Sequence, residues 1–302
     1  MPLIGRGFSY SLLRDVAGAE DAALRAALEQ LAEADIVLVQ GLPPESDYRF
    51  KHALIQDAAY ENLLKSRRQS LHRRVAEILR DRFAETAGAE PEALAHHFTQ
   101  AGMTDAAIEW WGKAGDQALR RSAFQEAISH LGKVIEMTDK EGEAKPRAAA
   151  APATATPTAW SSQRLELQTS YGQAMIHARG YSAPETKAAF ARARELTPGI
   201  EDPVDRFSVL YGLWANAFVS GQLAPTREIT DIMLREAAAR PGTSEACTAT
   251  RLNGNANWLG GNFAAARADS KARSRCLIRN GTPASSFALP MISVRPPCPI
   301  WR

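Results

Sequence analysis

Cysteine is scarce and late: the chain of 302 residues holds three, at 247, 276 and 298, and none in its first 246 positions. The odd count and the absence of any zinc-binding spacing point to reduced thiols in a cytoplasmic compartment. Long apolar runs are missing too. No stretch approaches 18 consecutive apolar residues, so no membrane span is expected. The opening MPLIGRGFSY has neither the charged n-region nor the apolar h-region of a secretory signal. Net charge is only +2, which argues neither for nor against a nucleic-acid partner. Residues 274–302 contain no Asp or Glu but five prolines and two of the three cysteines. That composition predicts an irregular tail and suggests a reading frame shifted from the ancestral one. No H-E-x-x-H, G-x-S-x-G, Ser/His/Asp or Cys/His arrangement stands out. No catalytic residue, metal ligand set or cofactor is therefore assigned.

What is present is helical period, on a background of 45% apolar residues. Phe8, Leu12, Leu13 and Val16 predict a helix over 8–17. Leu24, Ala27, Leu28 and Leu31 predict a second over 21–34, with Asp21 as its N-cap. The period then changes: IVLVQ at 36–40 is a β-branched run, 41–47 is a turn-rich loop, and Tyr48, Phe50 and His52 alternate. Two helices and a hairpin outline a winged helix over 1–66. Beyond Ala53 the chain reads as helix, with stripes at Leu54/Ala58/Leu63/Leu64 and Leu71/Val75/Ile78/Leu79, and a connector over 67–103 that stops at Gly102. Residues 104–138 form a helix pair in which Trp111 and Gly115 stand four apart and Phe124, Ala127 and Leu131 follow in large–small–large order. A flexible linker is expected over 139–163. Further pairs fill 164–273, where Gly172, Gly212 and Gly254 recur in the place of Gly115, and Gly261, Phe263 and Ala266 close the last pair. Glycine in a helix interior costs about 1 kcal/mol against alanine, so its recurrence implies closely packed backbones. The predicted fold is mainly α: a small winged helix feeding a tetratricopeptide-like helical solenoid.

RFKHALIQDAAYENLLKSRRQSLHRRVAEIL at 49–79 and LAHHFTQAGMTDAAIEWWGKAGDQALRRSAFQEAISHL at 94–131 carry a family resemblance. They resemble the segment closing the ATPase module, and the first repeat, of bacterial proteins that join a class III adenylate/guanylate cyclase domain, a STAND-type AAA ATPase and tetratricopeptide repeats. IGRGFSYSLL at 4–13 is similar to the start of their winged helix. The phosphate-cradling G-x-x-x-x-G-K-[ST] loop and acidic Mg²⁺ ligand of that family are absent from this chain, so its chemistry is not carried over. The resemblance implies a fragment of a longer signalling ATPase, acting as a non-catalytic interaction and regulatory module.

KHALIQDAA at 51–59 resembles the Met-His-Asp motif of STAND switches, whose histidine contacts the β-phosphate of ADP. The resemblance implies nucleotide sensing in trans at His52, with Lys51 and Ala53 in place of the methionine and aspartate; a locally hydrogen-bonded junction histidine is the alternative. The basic run KSRRQSLHRR at 65–74 reads as a solvated helix. The second helix carries Asp21, Glu29, Glu33 and Asp35 against Arg25, the wrong sign for phosphate, so a winged-helix transcription regulator is the weaker alternative. His96, His97, Trp110 and Trp111 read as core or inter-helix residues. The expected partner is a protein segment or domain on the solenoid's concave face, with no membrane or nucleic acid. Self-association is also expected, because the last repeat lacks a polar cap.

Overall fold

The computed structural model describes residues 7–42, 45–144, 157–200 and 202–279. Among them the protein is mainly helical, with a small three-stranded sheet. The chain divides into two compact units, Met1–Ala114 and Gly115–Arg302.

The first unit begins with β1 (Gly7–Ser9), α1 (Tyr10–Ala17), α2 (Asp21–Glu33), β2 (Val37–Leu42) and β3 (Glu45–Phe50). The strands are antiparallel in the order β1-β3-β2. Phe8 lies opposite Tyr48, and Tyr48 opposite Val39. Phe8 therefore starts a strand and not a helix: its ring stacks on Tyr48 at 5.8 Å, and Ser9 caps α1 by accepting from the Leu12 N–H. Strand alternation sends Phe8, Tyr48, Phe50 and Val37 to one side, where they bury with Tyr10, Leu13, Leu24 and Leu28. The hairpin turn is shorter than the loop expected over 41–47. Asp21 is the first residue of α2 and not its cap; Glu20 holds that place without a side-chain bond. The Asp21 carboxylate instead accepts from the buried Tyr10 hydroxyl at 2.5 Å, and Arg25 donates to the same hydroxyl. Replacing Tyr10 by Phe keeps the ring but removes the hydroxyl's bonds to Asp21 and Arg25, which still pair with each other. A loss of about 1–2 kcal/mol in urea-unfolding stability is expected.

The unit continues with α3 (Ala53–Glu61), α4 (Lys65–Arg82), α5 (Ala84–Ala89), α6 (Pro91–Ala101) and α7 (Thr104–Arg120). Gly102 ends α6 in the left-handed conformation, as its position predicts. Two expected stripes are corrected. Leu54 and Leu64 are 80% and 77% exposed, so the first stripe makes no core. The buried line of α4 is His72, Val75, Ala76 and Leu79, because a histidine occupies a position that an apolar count skips.

The unit boundary falls within α7. The second unit holds α8 (Phe124–Ala144), α9 (Pro157–Arg179), α10 (Pro184–Glu195), α11 (Pro203–Val219), α12 (Leu223–Ala238), α13 (Ser244–Leu259) and α14 (Phe263–Arg279). Each helix from α8 to α13 packs on the next, and α9 also meets α11, as α11 meets α13. The linker expected over 139–163 is shorter, since α8 runs to Ala144 and α9 starts at Pro157; its centre, 145–156, lies outside the described residues. The irregular tail starts later than expected, because α14 extends to Arg279; the rest of it, 280–302, also lies outside the described residues. Cys247, buried near the start of α13, is disulfide-bonded, so the expectation of reduced thiols fails there. No described helix is long and apolar enough to cross a membrane.

Candidate functional site

In the second unit several helix-interior glycines stand where a side chain would collide with a neighbouring helix. A Cβ on Gly115 would lie 2.5 Å from the Leu131 side chain, and one on Gly172 would lie 2.9 Å from the Phe190 ring. Gly254 faces the Asp269 Cβ at 3.2 Å. These three meet the helix that follows their own. Gly212 differs: it faces back onto Phe190, 2.2 Å from its imagined Cβ. Phe190 is fully buried between Gly172 on α9 and Gly212 on α11. In α11 the residue facing forward is Trp214, whose indole N–H donates to Thr230 Oγ1 at 2.9 Å.

A second regularity was hidden in the sequence. The turns after α7, α9, α11 and α13 each place a residue at positive φ: Ser122 (58°), Gly180 (91°), Gly221 (67°) and Gly261 (77°). Three of the four are glycine, the residue that takes this conformation without strain. Ser122 breaks the glycine signal and so conceals the series. Phe263 and Trp258 are 64% and 60% exposed, whereas Ala127 and Leu131 are fully buried. Phe124 stacks on His177 at 4.5 Å, and Ala266 is half-buried. Within the same unit Arg251, on α13, has a buried guanidinium nitrogen, Nη2, that finds no hydrogen-bond partner among the described residues.

The first unit holds a polar cluster that the sequence did not disclose. Nδ1 of His72 on α4 lies 2.9 Å from Nδ1 of His97 on α6. His72 Nε2 lies 3.1 Å from the Tyr60 hydroxyl. Both histidines are almost wholly buried. His96, one residue from His97, is exposed, its ring 5.9 Å from that of His72. Burial first, then the neighbouring imidazole of His96 and the Arg68 guanidinium, push His72 down to about 4. Burial and the other two imidazoles push His97 down to about 3. At neutral pH the pair is uncharged, with one proton between the two facing nitrogens. No group of three His, Cys, Asp or Glu among the described residues is placed to hold a metal ion.

Three cations of the basic run of α4 have partners within the unit, while Lys65 and Arg67 are exposed. Arg73 pairs with Glu77 at 2.9 Å, Arg68 lies over the Tyr60 ring, and the Arg74 guanidinium lies against Gly18. Trp111 donates to Thr99 Oγ1 at 3.0 Å, and Lys113 sits over the buried Trp110. His52 is exposed at the N-cap of α3 and makes no capping bond.

No protein-family model matches the chain. It is 26% identical over 194 residues to an uncharacterized protein of Rhizobium meliloti (strain 1021). The match covers 64% of this chain but only 18% of that relative's length.

Proposed function

We propose that this chain is a non-catalytic protein-interaction and regulatory module. In this reading the sheet with α1 and α2 is a winged-helix element. The helices from α7 onward are tetratricopeptide-like pairs stacked as a solenoid, and its concave face receives a protein segment or partner domain. The observation that carries it is the contact order of the second unit, where helices touch their next neighbour throughout and the next but one at α9–α11 and α11–α13. Stacked hairpins make contacts of this kind, each pair burying an apolar face it cannot bury alone. The recurring positive-φ turn residues and the glycine approaches support the same reading. The resemblance to STAND ATPases with attached cyclase domains makes signalling the proposed setting.

Charge argues against duplex DNA as the partner. On α2, Arg25 is committed to Asp21 at 2.8 Å, leaving Glu29 and Glu33 exposed. We propose an acidic segment as the partner: Nη2 of Arg251 is enclosed without an acceptor among the described residues, and a carboxylate that reached it as the neighbouring side chains moved aside would supply one. Selection of random peptides displayed on phage against the immobilised chain tests this. Acidic peptides that bind the wild type and lose affinity for Arg251→Ala are expected. Enrichment of peptides without acidic residues, or equal binding to the variant, removes the assignment.

A further inference from the structure

The order β1-β3-β2 leaves β2 at an edge of the sheet. Its free side can be assigned residue by residue. The Lys51 N–H donates to the Ile36 carbonyl, which makes Ile36–Lys51 a hydrogen-bonded pair, and such pairs alternate along an antiparallel ladder. Carried along the register from Val37–Phe50 to Leu42–Glu45, the alternation commits Leu38, Gln40 and Leu42 to β3. Val37 and Val39 then point their N–H and C=O groups outward, where no described strand meets them; Gly41, at φ 88°, departs from the extended conformation.

Natural edge strands are protected by lysine, proline or inward-facing charge. β2 itself, Val37–Leu42, has none of these: its sequence VLVQGL carries no charge and no proline, and Pro43 and Pro44 follow only after its end. Leu38 and Val39 are 42% and 46% exposed on opposite faces of this edge. We propose that β2 is a self-pairing edge, through which two copies of this chain join by antiparallel β2–β2 pairing into one continuous six-stranded sheet.

A second copy is the occupant because the edge is self-complementary under two-fold symmetry. A two-fold axis at Val39 sets Val39 against Val39, Leu38 against Gln40 and Val37 against Gly41. The outward Val39 groups of both copies then exchange two hydrogen bonds. The side chains that meet are apolar or neutral, so the pairing raises no like-charge repulsion. The Asp35–Lys51 ion pair stands at the start of each β2. Antiparallel pairing carries the two ion pairs to opposite ends of the new ladder. All the residues this pairing uses lie in the first unit.

Sedimentation velocity of the full chain over a micromolar concentration series reads the association. The wild type is expected to dimerise. Val39→Pro removes one outward N–H without touching the β3 ladder, and Leu38→Lys puts charge on the half-exposed edge. Each is expected to raise the dimer dissociation constant at least tenfold. The double variant Trp258→Ser/Phe263→Ser, on the exposed end of the helical unit, is expected to dimerise as the wild type does. Circular dichroism checks that each variant is folded, and Leu38→Lys decides the matter if Val39→Pro is not. A wild type that stays monomeric overturns the proposal. So does undiminished dimerisation of both folded edge variants, or association lost only with Trp258 and Phe263.

Discussion

Phe190→Ala is expected to lower the stability of the second unit by about 3–5 kcal/mol, the range for removing a fully buried aromatic side chain. The ring is completely buried and fills the space that Gly172 and Gly212 leave on both sides of it. The converse change tests the same joint. A methyl group on Gly212 would meet the ring at 2.2 Å, and Gly172 stands against the same ring, its own imagined Cβ 2.9 Å away. Overpacking of this kind costs about 1–3 kcal/mol, against a helix-propensity gain of about 1 kcal/mol from removing glycine. Gly212→Ala is thus expected to be destabilising. Phe190→Leu in the same chain should recover part of that loss, because the smaller side chain makes room for the methyl group. Urea unfolding of the two single variants and the double variant measures the coupling. If Gly212→Ala and Phe190→Leu simply add, the glycine–phenylalanine joint is not the close contact described.

Mild acid is expected to open the first unit through His72 and His97. In the folded chain their imidazoles titrate near 4 and near 3, from an ordinary value of 6.5. The unfolded chain therefore takes up protons first, and stability falls as pH drops through 6.5 toward the folded values. Between pH 7 and pH 5 each histidine is expected to remove about 2 kcal/mol. The carboxylates held below their usual range, Asp15, Asp21 and Asp81, respond only at lower pH, and Asp116, which burial pushes up, gains stability as pH falls, so a loss in this window reports the histidines. Hydrogen exchange of α4 and α6 amides at pH 7, 6 and 5, corrected for the intrinsic rate, follows the effect. The variant His72→Gln/His97→Gln, which cannot be protonated at these positions, should show a much flatter dependence. An equally steep dependence in that variant would place the acid response elsewhere.

The sequence discloses elements whose signals are local and leaves obscure those set by partners distant in the chain. α6 is legible because Pro91 opens it and Gly102 closes it. β1 is not, because Phe8 falls at helical spacing with Leu12, and only its pairing with Tyr48 on β3 makes it a strand. The buried face of α4 is misjudged for a related reason. His72 counts as polar in any periodicity, yet it is core because His97, 25 residues on, supplies its hydrogen bond. The glycine spacing suggests four equivalent positions. Gly212 faces the preceding helix instead, since Trp214 takes the forward contact to Thr230. The turn series at Ser122, Gly180, Gly221 and Gly261 marks a steadier register, but serine at the first position conceals it from a search for glycine.

The proposed binding of an acidic protein segment by the helical second unit is read most directly from the affinity of a selected acidic peptide for wild type and Arg251→Ala. A charge-assisted hydrogen bond is worth about 1.5–3 kcal/mol, so fluorescence anisotropy is expected to show a loss of roughly tenfold to a hundredfold in the variant. Equal affinities, with both proteins folded by circular dichroism, would remove Arg251 and an acidic partner from the proposed function.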